Sequence, residues 1–255
     1  MTEPLLPATI GAALPLPAPT APGADLPAIV ELFGFMRDAE RRFETLRMQI
    51  VDRTVAAGAD GDIFIDVWLR HPGQAKIVTG VTGGAVRAGF DTWLSDGVTV
   101  RRYDARARVI RSRPLAGPPG GADGPDLPAF ARVYRPRTPL PAGSLAETFV
   151  HPHGFCRNVL STGALRFDGV RELAGGREAV VIRCDHPRTT KVLTDRPDHR
   201  LDIAVDRVTG AILQLVERVG DRVTRDAEAL AFEPDAPVSD ADFELHVSAG
   251  VRRLY

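Results

Sequence analysis

The sequence predicts an α+β protein built on an antiparallel sheet, and three observations carry that prediction. One amphipathic helical stretch stands at the head of the patterned chain, strand-length segments fill most of the remainder, and tight turns join many of those strands. Links this short force neighbouring strands to run antiparallel. Helices grouped apart from strands suit an α+β arrangement and not a succession of βαβ units.

Residues 1–27 are apolar but broken by Pro4, Pro7, Pro15, Pro17, Pro19, Pro22 and Pro27, and they read as an extended, disordered tail. They contain no Lys or Arg, so the positive n-region of a secretory signal is missing. From Ala28 the positions Ile29, Val30, Phe33, Met36, Ala39 and Phe43 recur at spacings of three and four, which predicts a helix to about Leu46 with Pro27 at its first turn.

Strands follow. Arg47–Val55 is one candidate. In 63–70, Ile63, Ile65, Val67 and Leu69 share one face and Phe64, Asp66, Trp68 and Arg70 the other. The turn His71-Pro72-Gly73 leads to a strand over 75–79. After the glycine-rich break at 80–84, strands over 90–94 and 98–103 flank Ser95-Asp96-Gly97, a hairpin turn, and 108–112 pairs back. Residues 113–143 are rich in Pro and Gly without sustained period, the signature of a lid, a binding loop or disorder. Residues 144–160 carry a helix broken at Pro152 and Gly154. Strands over 165–173, 178–184, 200–205, 211–217 and 222–232 complete the pattern, the last three a meander joined at Thr209-Gly210 and Gly220-Asp221. One domain over 28–245 results, with 246–255 as a C-terminal tail.

Composition narrows function mainly by exclusion. With 44% hydrophobic and 25% charged residues the chain has the means for a real core. A net charge of -1 supplies no overall field towards nucleic acid or an anionic surface. No run approaches the roughly 20 apolar residues of a membrane-spanning helix. Cys156 and Cys184 are too few for a disulfide framework and stand either as one bridge or as buried thiols.

Chemical motifs are sparse. His151, His153 and Cys156 are of metal-ligating type, but their spacing matches no known ligand pattern, so they are weak candidates and no cofactor is expected. Neither a G-x-S-x-G nucleophile nor a phosphate-binding P-loop is present. Arg101, Arg102, Arg106, Arg108, Arg111 and Arg113 form a basic stretch that strands would divide between two faces. It reads as a solvated sheet surface or as a contact for an anionic headgroup or acidic partner. Trp68 and Trp93 lie on strands, as core or as the wall of a ligand groove.

In order along the chain, Ile63-Phe64-Ile65-Asp66-Val67-Trp68-Leu69-Arg70-His71-Pro72-Gly73-Gln74-Ala75-Lys76 resembles the strand-Pro-Gly-strand opening of LolA-like lipoprotein carriers, and residues 95–104 resemble their next hairpin. Residues 174–182 resemble the Gly-Arg strand entry of the related RseB-like sigma-factor regulators and actinobacterial lipoproteins. Asp206-Arg207-Val208-Thr209-Gly210-Ala211-Ile212-Leu213 is similar to the superfamily's strand-turn-strand. The resemblance implies a curved antiparallel half-barrel closed by the N-terminal helix and a central helix or lid. Its apolar hollow would bind a lipid, an acyl chain or a lipoprotein without catalysis. The cavity candidates are Phe33, Ile63, Ile65, Val67, Leu69, Trp93, Val98, Val100, Val180, Ile182, Leu213 and Leu215. A sensor that binds a protein partner is the alternative, and a metal-dependent enzyme the third. The resemblance implies the extracytoplasmic cell envelope, whereas residues 1–27 carry no recognisable export signal, so the cytoplasm stays open as well.

Overall fold

The computed structural model describes residues 29–54, 61–81, 90–115, 136–187, 197–247 and 250–254. The expected tail at 1–27, most of the 80–84 break and 116–135 of the irregular middle lie outside the described residues.

The first helix, α1 (Ile29–Arg37), is shorter than its period suggests: a 3-10 turn occupies Ala39–Arg42 and Phe43 is extended. The pattern continues in sequence, but the backbone is claimed elsewhere. From Thr45 the chain enters strand β1 (Thr45–Thr54) and is paired on both sides, Leu46 facing Leu69 on one neighbour and Pro234 on the other. Two ladders outweigh local helical preference. The Arg42 guanidinium seals the corner, donating to the Phe35 and Thr209 carbonyl oxygens at 2.7 and 2.9 Å and lying 3.9 Å over the Phe35 ring. Gly210, at φ +82°, passes so close that a Cβ there would lie 2.8 Å from the Phe35 oxygen.

Among the described residues eleven further strands follow. They are β2 (Ile63–Arg70), β3 (Gln74–Val81), β4 (Asp91–Asp96), β5 (Thr99–Asp104), β6 (Val109–Pro114), β7 (Ala164–Leu173), β8 (Arg177–Asp185), β9 (His199–Asp206), β10 (Ile212–Val219), β11 (Arg222–Pro234) and β12 (Arg252–Leu254). Among the described residues between β6 and β7 lie two short α-helices, α2 (Leu145–Val150) and α3 (His153–Asn158), so the broken helix is confirmed. Ser144 caps α2 by accepting the Glu147 N–H.

All twelve strands form one open sheet in the order β12-β6-β5-β4-β3-β2-β1-β11-β10-β9-β8-β7. Two antiparallel meanders are therefore joined edge to edge through β1 and β11. The asymmetry between them lies in register. From β1 to β6 the pairing runs without a shift, whereas β1–β11, β10–β11, β9–β10 and β7–β8 each contain one. Bulges bend strands and increase their twist, so curvature concentrates in the second meander. A register shift lies beside Leu213, and Ile212 and Leu213 are both buried.

The core occupies one face. Leu32 and Met36 of α1, Phe149 and Val150 of α2, and Cys156 of α3 pack against Met48, Val67, Ile182, Ile203 and Leu215 from both meanders. This is the curved α+β half-barrel expected of the sequence. The C-terminal segment crosses the opposite face, where Arg70 pairs with Asp240 and Arg47 with Asp242, at 2.5 and 3.1 Å. Its final strand, β12, runs parallel to β6 and lies within the 246–255 segment. Three exposed residues have no period to announce them.

Candidate functional site

Register shows where the covered face stops being covered. Residues directly opposite in neighbouring strands share a face, so one transverse row reads Phe232, Met48, Val67, Ile77, Trp93, Arg102, Arg111, Leu254 from the centre of the sheet to its edge. A second row reads Leu46, Leu69, Ala75, Ser95, Val100, Arg113. The first members are buried beneath the helices. Trp93 is half-buried, Arg102, Arg111 and Arg113 are exposed, and Leu254 is 48% exposed. The face thus passes from dry core to basic rim within three strands.

At that transition lies a cavity of about 620 Å³, lined by Trp93, Val100, Arg102, Arg111, Ser112, Arg113, Pro141, Ala142 and Leu254. Its size is within the range of small-molecule sites. Its far wall, Pro141 and Ala142, is held by a buried polar anchor. The Gly73 N–H donates to Thr138 Oγ1 at 2.8 Å, which leaves the hydroxyl proton to reach His71 Nδ1, also at 2.8 Å. The hydroxyl thereby favours neutral His71, whose pKa is held down to about 3 by burial first and by the electrostatic influence of Arg137 and His151 next. His151 Nε2 donates to the Thr138 carbonyl at 2.9 Å, while its Nδ1 lies 3.4 Å from the buried Glu40 carboxylate. Glu40 accepts the Arg137 N–H, and Arg137 in turn clasps Glu44.

The metal-type residues are thereby drawn apart. His151 serves the anchor, and His153 is turned to the neighbourhood of Arg37 and Arg157, with its pKa lowered by burial and those two charges. Cys156 rests with its sulfur 3.7 Å from Met36 Sδ. Among the described residues no group of three His, Cys, Asp or Glu side chains is placed to hold an ion. Both thiols are free and buried. Burial pushes Cys156 up to about 12, and burial with the nearby Asp185 charge pushes Cys184 up to about 11.

Of the cavity candidates, Trp93 and Val100 line this hollow. Ile65, Val67, Leu69, Val180, Ile182, Leu213 and Leu215 are buried in the closed core, against which Phe33 and Ile63 also pack. Val98 joins neither group: it stands 75% exposed in the β4–β5 turn. Pro141, Ala142 and Leu254 escaped notice because nothing in their local pattern records that they meet β4–β6. The alternation of Arg102 with Arg101 and of Arg111 and Arg113 with Ser112 was the available signal.

No protein-family model matches the chain, and no curated protein matches it in sequence. Solved structures do match in shape. MucB is 14% identical, with a TM-score of 0.50 over 91% of this chain and 66% of its own, so this chain spans slightly less than two thirds of MucB. The fold is MucB-like. The MucA/MucB complex of Pseudomonas aeruginosa is also similar, 14% identical over 86% of this chain and 62% of that one at a TM-score of 0.48. So is the lipoprotein LppX of Mycobacterium tuberculosis, 12% identical over 84% and 98% at 0.42. At such identities likeness speaks for the fold, and the site has to be argued from its own residues.

Proposed function

We propose that this protein binds the acyl chain of a lipid or lipoprotein, without catalysis, in the hollow between the Pro141-Ala142 segment and strands β4, β5, β6 and β12. The observation that carries the reading is the 620 Å³ cavity walled by Trp93, Val100, Pro141, Ala142 and Leu254 on the same face as the core. Apolar surface left in water costs about 25 cal/mol per Å², so a hollow of this kind favours an apolar occupant. Among its described residues the lining offers Ser112 and three guanidinium groups beside that wall, and no carboxylate or imidazole to act as a general base.

A fluorescent acyl-chain displacement assay on the purified protein tests this, together with extraction and mass spectrometry of whatever lipid accompanies it. Saturable displacement that weakens roughly tenfold in Trp93→Ala, with the thermal transition nearly unchanged, is the expected result. A protein that takes up no amphiphile, extracts dry and binds a defined protein partner through the rim would move the reading to the sensor class. The exposed basic rim is the observation that favours that second reading.

A further inference from the structure

The unusual feature of the hollow is how its charge is arranged. Arg102 and Arg111 are direct cross-strand partners on one face of the β5–β6 pair, and Arg113, two residues further along β6, points to the same side. Like charges set directly opposite one another destabilise a sheet. Arg102 is partly relieved by Asp91 at 3.0 Å. Arg111 and Arg113 have no carboxylate partner among the described residues. Across β8–β11 the protein pairs its arginines closely: Arg183, Arg200 and Arg218 converge on Asp202, Arg177 clasps Asp206, and Arg225 clasps Asp52. A net charge of -1 makes the rim a local concentration and not a reflection of overall basicity.

From this geometry we infer that Arg102, Arg111 and Arg113 are the headgroup site of the hollow, and that its ligand is a lipid bearing a phosphate. The inference rests on the acyl-binding reading and adds the class of lipid to it. Guanidinium groups present forked donors that match phosphate oxygens, and bringing an anion between them relieves the repulsion they exert on one another. The apolar wall begins at Trp93 and Leu254, next to the arginines in the same transverse row, so one amphiphile spans both. Charge complementarity selects the head, and the wall selects the tail.

The test compares two single-chain lipids of equal acyl length, a lysophosphatidic acid and a monoacylglycerol, by displacement of a fluorescent acyl probe. The phosphate lipid is expected to bind roughly tenfold tighter or more, the range of a charge-assisted hydrogen bond. That advantage is expected to shrink with added salt and to vanish in the double variant Arg111→Gln/Arg113→Gln. Monoacylglycerol binding should stay the same in that variant. Arg101→Gln removes one charge from the opposite face and should leave both ligands unaffected. Equal affinity for the two lipids in the unaltered protein, at any salt, overturns the headgroup inference and leaves acyl binding standing. Failure of both to bind removes both readings. Glycerol phosphate competing as well as the phosphate lipid overturns the lipid as the source of the anion. The salt dependence of the unaltered protein decides the matter should the double variant fail to fold.

Discussion

The two meanders of this sheet spend the same residue type in opposite ways. In β7–β11, arginines are tied down: Asp202 alone accepts ion pairs from Arg183, Arg200 and Arg218 at 3.1–3.4 Å, and Arg177 and Arg225 hold carboxylates at 2.8 and 2.7 Å. In β5–β6, Arg102 and Arg111 face each other and Arg113 stands beside them. The same division runs through the backbone. Register shifts bend the second meander over α1, α2 and α3, whereas β2–β6 is regular and its last strands emerge from under the helices. The half whose curvature buries its face also compensates its charges. The half left open keeps uncompensated charge beside apolar surface, an arrangement costly to a scaffold and useful to a binding site.

The largest difference should appear on truncating aromatic side chains. Phe149 is fully buried where α2 closes the core, and Phe149→Ala is expected to cost about 3–5 kcal/mol. Trp93→Ala, at the open end, should cost only a small fraction of that while weakening acyl binding roughly tenfold. Urea unfolding of the two variants measures the contrast, and equal losses would break it.

Acid should act next, through the anchor that positions Pro141 and Ala142. The folded protein holds His71 down at about 3, below the ordinary value of about 6.5. Between those values the unfolded chain takes up a proton that the folded chain refuses. The His71 contribution is therefore complete above about pH 6.5 and is lost as pH falls, at up to about 1.4 kcal/mol per pH unit until about pH 3. Urea midpoints over that interval, compared with those of His71→Gln, should differ in slope by about one proton. Parallel slopes would mean that the imidazole is not kept neutral by its Thr138 and Gly73 setting.

Much of this was legible from residues that obey a simple period. Alternation in 63–70 and the Asp96-Gly97 turn each fix a neighbour within a few positions, and the observed ladders follow them. The site was legible in part. Trp93 and Val100 lie on strands whose facing could be read, but the edge beyond them depends on β12, which arrives from the far end of the chain with three exposed residues. Helix α1 shows the converse failure. Its period runs through Phe43, but pairing of β1 with both β2 and β11 ends the helix first, and no local signal reports a partner nearly two hundred positions away. Val98 has the composition of a cavity residue and the position of a turn.

Charge substitutions sharpen the comparison at smaller magnitudes. Asp202 is 15% exposed, and Asp202→Asn leaves three guanidinium groups without their shared carboxylate. Exposed pairs contribute about 0.2–1 kcal/mol each, so a loss of about 1–2 kcal/mol is expected for the network. Thermal or urea unfolding checks it.

Removing a charge from the rim should have the opposite sign. Arg111→Gln keeps the length and polarity of the side chain while ending its opposition to Arg102, and like-charge cross-strand pairs carry penalties in the range of about 0.2–1 kcal/mol. Asp91 already offsets part of that repulsion through Arg102, so the gain should fall at the low end, a few tenths of a kcal/mol. It should shrink further as salt rises, because the Debye length falls from about 10 Å at 0.1 M to about 3 Å at 1 M. A more stable protein that binds a phosphate lipid less well would show that this edge trades stability for an anion. A loss matching that of Asp202→Asn would instead place Arg111 among the structural arginines and erase the distinction between the two halves.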